Sequence, residues 1–217
     1  MEMKTNLKIT GGVYLVIDPS MDRDLLLSRL GKALKAGVNA VQLWGNWPPG
    51  ADKRSCISAI ANLCRAYGVP LLIDNDWELL IGLPDLDGVH FDQIPSNLND
   101  IKKIVGRPFA TGITCSGDLE VVRWAAANGM DYISFCAMFP SPSAGSCDIV
   151  TPSTVKEARE VTTLPLFVSG GMTPENILSL RLLTPFDGVA VISGVMSHAD
   201  PYGKVKLYQD ALNTMIQ

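Results

Sequence analysis

The chain has 217 residues, 47% of them apolar and 18% charged, with 18 basic against 22 acidic side chains and a net charge of −4. That length and apolar share exclude wholesale disorder and allow one sizeable core or two small ones. The mild negative charge excludes a global field drawing the molecule to nucleic acid or an anionic membrane, so an anionic substrate has to be held by local donors.

The opening stretch MEMKTNLKIT has no apolar centre of the signal-peptide kind. No run approaches the ~18–20 apolar residues of a membrane span. Residues 1–12 or so read as an extension ahead of the first strand, Val13–Asp18. A helix follows over Asp22–Ala36, with Leu25, Leu26, Leu30, Ala33 and Leu34 on one face. The strand Ala40–Leu43 and the helix Asp52–Tyr67 come next, then the strands Pro70–Asp74, Gly88–Phe91 and Phe109–Thr114. Helix Leu119–Asn128, strand Asp131–Phe135, helix Pro152–Val161 and strand Leu166–Ser169 continue the alternation. Helix Pro174–Leu183, strand Gly188–Ser193 and helix Asp200–Ile216 complete it. The segments between the third and fourth strands and after the sixth look short or interrupted as helices.

Most of the strands are continuous apolar runs, the pattern of strands buried on both faces. Gly37, Gly68 and Gly129 each stand between a helix and the next strand, where a left-handed residue closes a helix. Thr151-Pro152 and Thr173-Pro174 read as a cap followed by a first-turn proline. Strict alternation predicts a parallel sheet covered by helices. Eight units in 217 residues is about 27 residues each, close to the roughly 31 of a (β/α)8 TIM barrel, and no linker divides the chain. The fold class is therefore α/β, as a TIM barrel of one domain. A doubly wound open sheet is the alternative, but the first strand ends in Asp18-Pro19-Ser20 instead of a Gly-rich turn.

The five cysteines, Cys56, Cys64, Cys115, Cys136 and Cys147, are odd in number and form no C-x-x-C pair. Neither a disulfide framework nor a zinc site follows, and His90 and His198 are the two imidazoles available. The reading is a cytoplasmic protein with reduced thiols. The oligomeric state stays open.

Ligands of a barrel bind at the C-terminal ends of its strands. Gly170-Gly171 follows the seventh strand and Ser193-Gly194 the eighth, the usual phosphate loops of this fold, where backbone N–H groups at a helix start donate to an anion. Read singly, each is also an ordinary tight turn. Asp74-Asn75-Asp76 offers oxygen ligands to a hard cation, or a polar strand end with Asp76 capping the next helix. His90 reads as a hydrogen-bonded core histidine before a base. Ser141, Ser143 and Ser146 lie in a loop that either closes on an anion or only connects. Trp44 at the barrel mouth stacks on a planar ring or shields the rim.

At these strand ends the sequence resembles the thiamine phosphate synthases and their relatives, the thiazole tautomerases. The likeness runs from Tyr14 to about Val195. It is carried by Tyr14-Leu15-Val16-Ile17-Asp18, Val41-Gln42-Leu43, Asp87-Gly88-Val89-His90-Phe91-Asp92-Gln93, Asp131 to Ser141, Ser169 to Asn176 and Val189 to Gly194. Synthases of this family lose pyrophosphate from a pyrimidine methyl pyrophosphate and join the resulting cation to a thiazole phosphate, with Mg²⁺ and basic side chains on the leaving group. The resemblance implies small phosphorylated heterocyclic substrates, no nucleic acid or membrane partner, and Mg²⁺ as cofactor if the chain is a synthase. It implies catalytic Gln42, Asp74, Asn75 and Thr114, phosphate or substrate contacts at Ser141, Ser143, Gly170, Gly171, Ile192, Ser193 and Gly194, pyrimidine stacking by Trp44, and a metal on Asp74.

The chain also departs from the pattern. Trp44 and Asn46 replace the Arg and Lys of the family's Q-L-R-E-K, and Ala144 replaces the Lys of P-T-x-T-K. The family's N-D after the third strand is the swapped pair Asp74-Asn75, and its metal-binding Asp is replaced near Ile94-Pro95. The tautomerase His after the fifth strand is absent from Thr114-Cys115-Ser116. These losses leave a divergent thiazole-phosphate binder or tautomerase-like isomerase as the alternative. A phosphosugar isomerase is weaker, because no strand-end Lys or Glu offers a base.

Overall fold

The computed structural model describes residues 8–141 and 148–214. Eight parallel strands close into a barrel in sequence order: β1 (Gly12–Ile17), β2 (Ala40–Leu43), β3 (Leu71–Asp74), β4 (Gly88–Phe91), β5 (Ala110–Thr114), β6 (Tyr132–Phe135), β7 (Leu166–Ser169) and β8 (Gly188–Val191). Pairing of Gly12 with Gly188 closes the sheet between β1 and β8. The protein is thus a TIM barrel, as the alternation predicts.

The connecting helices are α1 (Arg23–Ala36), α2 (Lys53–Ala66), α3 (Leu79–Gly82), α4 (Leu98–Val105), α5 (Leu119–Ala127), α6 (Pro152–Val161), α7 (Pro174–Arg181), α8 (Ser193–Met196) and α9 (Pro201–Asn213). Seven of these starts have a side-chain cap. Asp22, Asp52, Asn97, Asp118, Thr151, Thr173 and Asp200 each accept a hydrogen bond from a first-turn N–H. At Gly37 the backbone turns left-handed, φ +100°, and its N–H caps the carbonyl of Leu34. The β3–β4 helix is four residues long, as its sequence suggests, whereas α4 is an eight-residue helix that the reading did not contain.

Period-two alternation sorts the strand residues into two cores. Odd-numbered residues of β1 to β5, such as Val13, Leu15, Val41, Leu71, Val89 and Ile113, point outward and pack under the helices. Tyr14, Val16, Ala40, Leu72, Ala110, Tyr132 and Phe167 point inward and form a second buried cluster. Ile9 joins it, so the chain just ahead of β1 contributes to the barrel interior. The rings of Tyr14, Tyr132 and Phe167 meet pairwise at 5.4–5.6 Å. Gly112 makes room for them: a Cβ there would stand 2.0 Å from the Tyr132 ring. Burial of such a side chain contributes ~1.5–3 kcal/mol, so this floor is both a stabilising element and the base of the site above it.

Candidate functional site

Continuing the inward parity toward the C-terminal strand ends turns the wall from apolar to polar. Gln42 and Trp44 follow Ala40; Asp74 follows Leu72; Thr114 and Ser116 follow Gly112. All of these line one cavity of about 790 Å³ at the barrel mouth. Gly170, Gly171, Ile192, Ser193, Gly194 and Ser141 line it too. Ten of the residues expected from sequence therefore share one cavity. Asn75 does not line it, and Ser143 lies outside the described residues.

Asn75 lies elsewhere because it falls one residue out of phase. It is exposed, in a left-handed conformation with φ +54°. Its amide donates to an Asp92 carboxylate oxygen at 2.6 Å and accepts the Asp92 N–H at 2.9 Å. The swap of Asn-Asp to Asp-Asn thus moves the β3 carboxylate into the barrel and uses the amide to hold Asp92 at the cavity wall. Asp76 does not cap α3; Lys53 pairs with it at 2.7 Å.

Asp74 is 7% exposed. One carboxylate oxygen accepts from Gln42 Nε2 at 3.0 Å and the other from the Gly45 N–H at 3.1 Å. Burial, reinforced by the charge of Asp92, nevertheless pushes its pKa up to about 7. His90 is buried, and burial pushes its imidazole down to about 4, so it is neutral at physiological pH. Both ring nitrogens are engaged, Nδ1 with the Tyr132 hydroxyl and Nε2 with the Thr114 hydroxyl, each at 2.9 Å. This is the hydrogen-bonded histidine the sequence suggested, but it stands in the cavity wall. Cys115 does not substitute for the missing tautomerase His. It points into the helix-side core, and burial pushes its thiol up to about 12.

The Gly170-Gly171 and Ser193-Gly194 loops also border the mouth. Gly170 and Gly171 both have positive φ, +79° and +63°. Their glycine identity has a packing cause as well: a Cβ on Gly171 would lie 2.8 Å from Phe139 Cβ and 2.9 Å from the Pro140 carbonyl. The Tyr208 hydroxyl of α9 donates to the Met172 carbonyl at 2.8 Å and holds this loop down. Ser193 and Gly194 carry the first N–H groups of α8, which have no acceptor within the helix. Lys204 and His198 also line this part of the chain's cavity, and sequence reasoning missed both. Lys204 has the one signal available, a position one turn ahead of Tyr208 on the same helix face.

Among the described residues, the cavity lining carries three carboxylates, Glu175 of α7 beside the Gly170-Gly171 loop and the pair Asp74 and Asp92 at the β3 and β4 ends. Lys204 is the one Lys or Arg lining the cavity among the described residues. Where the resemblance calls for a lysine, Asn46 instead donates to both carboxylate oxygens of Asp18, at 3.2 and 3.1 Å. Among the described residues no cluster of three or more His, Cys, Asp or Glu side chains is placed to hold a metal, and no helix is long and apolar enough to cross a membrane.

Comparison with known proteins gives the family and the same fold. The profile of the family described as "Thiamine monophosphate synthase" matches residues 13–195. A thiamine-phosphate synthase of Thiobacillus denitrificans is 30% identical over 190 residues, covering 88% of this chain and 89% of that protein. One from a Janthinobacterium species is 30% identical over 206 residues, covering 95% and 97%. Among solved structures, thiamine phosphate pyrophosphorylase from Pyrococcus furiosus shares the fold with a TM-score of 0.78 at 21% identity over 96% of both chains. With a family match that spans the strand ends just described, the chain belongs to the thiamine monophosphate synthase family.

Proposed function

We propose that the cavity is the site of a transferase of thiamine biosynthesis, which joins a pyrimidine methyl pyrophosphate to a thiazole phosphate and releases pyrophosphate. In that reaction the methyl carbon–oxygen bond breaks and its electron pair leaves on pyrophosphate. The thiazole nitrogen then donates its lone pair to the carbon, forming the new bond. The observation that carries the reading is the shared cavity: Gln42, Trp44 and Thr114 line it together with the Gly170-Gly171 and Ser193-Gly194 loops.

The chain's own groups divide the work. The two Gly-containing loops and Lys204 receive the thiazole phosphate. Gln42 and Thr114 offer hydrogen bonds to the pyrimidine, and the Trp44 face stabilises a planar cation. Asp74 and Asp92 place negative charge where positive charge develops on the pyrimidine. The family implies Mg²⁺. This ion is held by one or two carboxylates together with substrate phosphate oxygens, and Asp74 with Asp92 fits that donor set. Bound there, Mg²⁺ would neutralise the departing pyrophosphate.

One observation favours a second reading. The chain lacks the basic residues of the family pattern at 44, 46 and 144, whereas Gly170, Gly171, Ser193 and Gly194 are all present in the cavity lining. A charge-assisted hydrogen bond contributes roughly 1.5–3 kcal/mol, so a chain without several of them can still bind a thiazole phosphate while coupling slowly or not at all. The test compares calorimetric binding of thiazole phosphate with thiamine phosphate formation in Gln42→Ala and Thr114→Val. Under the transferase reading both variants keep thiazole phosphate affinity and lose at least tenfold in product formation. Unchanged product formation contradicts the assigned roles.

A further inference from the structure

A single file of hydrogen bonds crosses the barrel floor. Gln42 Nε2 donates to Asp74 at 3.0 Å, and the Tyr14 hydroxyl donates to Gln42 Oε1 at 2.8 Å. The Tyr14 and Tyr132 hydroxyls are 2.8 Å apart. Tyr132 meets His90 Nδ1 and His90 Nε2 meets the Thr114 hydroxyl, both at 2.9 Å. Gln42, Asp74, His90, Tyr14 and Tyr132 are all 7% exposed or less, so water does not compete for these bonds.

Each middle member has one proton for the file, and that fixes its direction. Ionised Asp74 only accepts, so Gln42 presents its NH₂ to Asp74 and its carbonyl oxygen to Tyr14. Tyr14 has given its proton to Gln42 and must accept from Tyr132. Tyr132 has then used its proton and must accept from His90 Nδ1–H. Neutral His90 is left with a bare Nε2, which accepts from Thr114. We infer that Asp74 is a positioning residue which, acting through Gln42, Tyr14, Tyr132 and His90, places the His90 proton on Nδ1 and turns the Thr114 hydroxyl proton away from the cavity. Thr114 Oγ1 then shows only lone pairs to a ligand, which selects an N–H or O–H donor there and rejects a carbonyl. The asparagine of the family pattern at this point of β3 would set the opposite direction, because the Gly45 N–H takes its oxygen and leaves its NH₂ to Gln42.

The inference concerns proton placement in the free protein, so its test needs no substrate and stands apart from the transferase reading. The chain has two histidines, His90 buried and His198 exposed, so ¹⁵N-histidine labelling gives two separable spin systems. Long-range ¹H–¹⁵N spectra at mildly alkaline pH are expected to show His90 as the Nδ1–H tautomer. In Asp74→Asn the new amide keeps its oxygen on the Gly45 N–H and turns its NH₂ to Gln42. Every link then reverses and His90 becomes Nε2–H. In the Tyr132→Phe background the file is cut, and Asp74→Asn is expected to leave the tautomer where Tyr132→Phe alone puts it. Three results overturn the inference: wild-type His90 as Nε2–H, an unchanged tautomer in folded Asp74→Asn, or an Asp74→Asn effect that persists without the Tyr132 hydroxyl. The first of these needs no variant, so failure of a variant to fold leaves the inference decidable.

Discussion

Asp74 ends one hydrogen-bonded file, His90 stands one link from its other end, and the two carry opposite proton linkages. His90 is held at about 4 against an ordinary 6.5, so between those values the unfolded chain binds more protons than the native one. Its contribution to stability is complete above pH 6.5 and is lost as pH falls toward 4, by about 3 kcal/mol at ~1.4 kcal/mol per pKa unit. Asp74 is raised to about 7 from 3.8, so the native state binds the extra proton and stability rises as pH falls through that window. In metal-free buffer the wild type is therefore expected to have a shallow stability profile between pH 7 and 4, because the two slopes oppose. Asp74→Asn is expected to expose the His90 slope, with stability falling on acidification. His90→Gln is expected to expose the opposite slope. Urea titrations across that range check both signs. The members of this file were individually visible in the sequence, but their connection was not: Tyr14 and Tyr132 are 118 residues apart, and only the barrel register brings their hydroxyls together.

In the turn between β7 and α7, Gly171 combines a packing role with the proposed binding role. Gly171→Ala places a Cβ against Phe139 and Pro140 and an L side chain at positive φ. It is expected to lower stability by ~1–3 kcal/mol and thiazole phosphate affinity by at least tenfold, measured by denaturation and calorimetry. Loss of affinity at full stability would leave the backbone amides as the whole cause. The short segment α3 is held from outside: Arg107 Nη2 donates to the carbonyls of Leu80, Leu83 and Leu86 at 3.2, 3.3 and 2.9 Å. Arg107→Met is expected to cost roughly 1.5–3 kcal/mol and to raise amide exchange over residues 79–86 first. Uniform exchange across the chain would contradict a local role. The long helices were legible because they combine caps with an apolar stripe, as in α1 and α2. α4 was not, since its two turns begin in Asn97-Leu98-Asn99-Asp100, residues that also suit a turn, and its stripe is only Leu98, Ile101 and Val105.

The whole barrel was legible because its strands are apolar runs between capped helices, a pattern that parallel sheets impose. Parity then decides the site. Counting by twos from Tyr14, Ala40 and Leu72 reaches Val16, Gln42 and Asp74, and it leaves Asn75 outside. That count was available from the sequence once the strand ends were fixed. Lys204 was not, because it comes from the first turn of α9, a helix packed against α1 and α7, and belongs to no strand. At the level of the molecule, one cavity joins the Gly170-Gly171 and Ser193-Gly194 loops, proposed to take the phosphate, to Trp44, Asp74 and Asp92, where the family pattern adds Arg and Lys. Trp44→Arg with Ala144→Lys is expected to raise product formation at least tenfold with the fold unchanged. No gain would mean that the chain handles its leaving group by other contacts. Coupling of the two heterocycles at this cavity is the proposed activity. The direct measurement is turnover of the purified chain with pyrimidine methyl pyrophosphate, thiazole phosphate and Mg²⁺, beside an active relative. The expected result is thiamine phosphate and pyrophosphate in equal amounts, while folded protein that binds thiazole phosphate yet forms no product would contradict it.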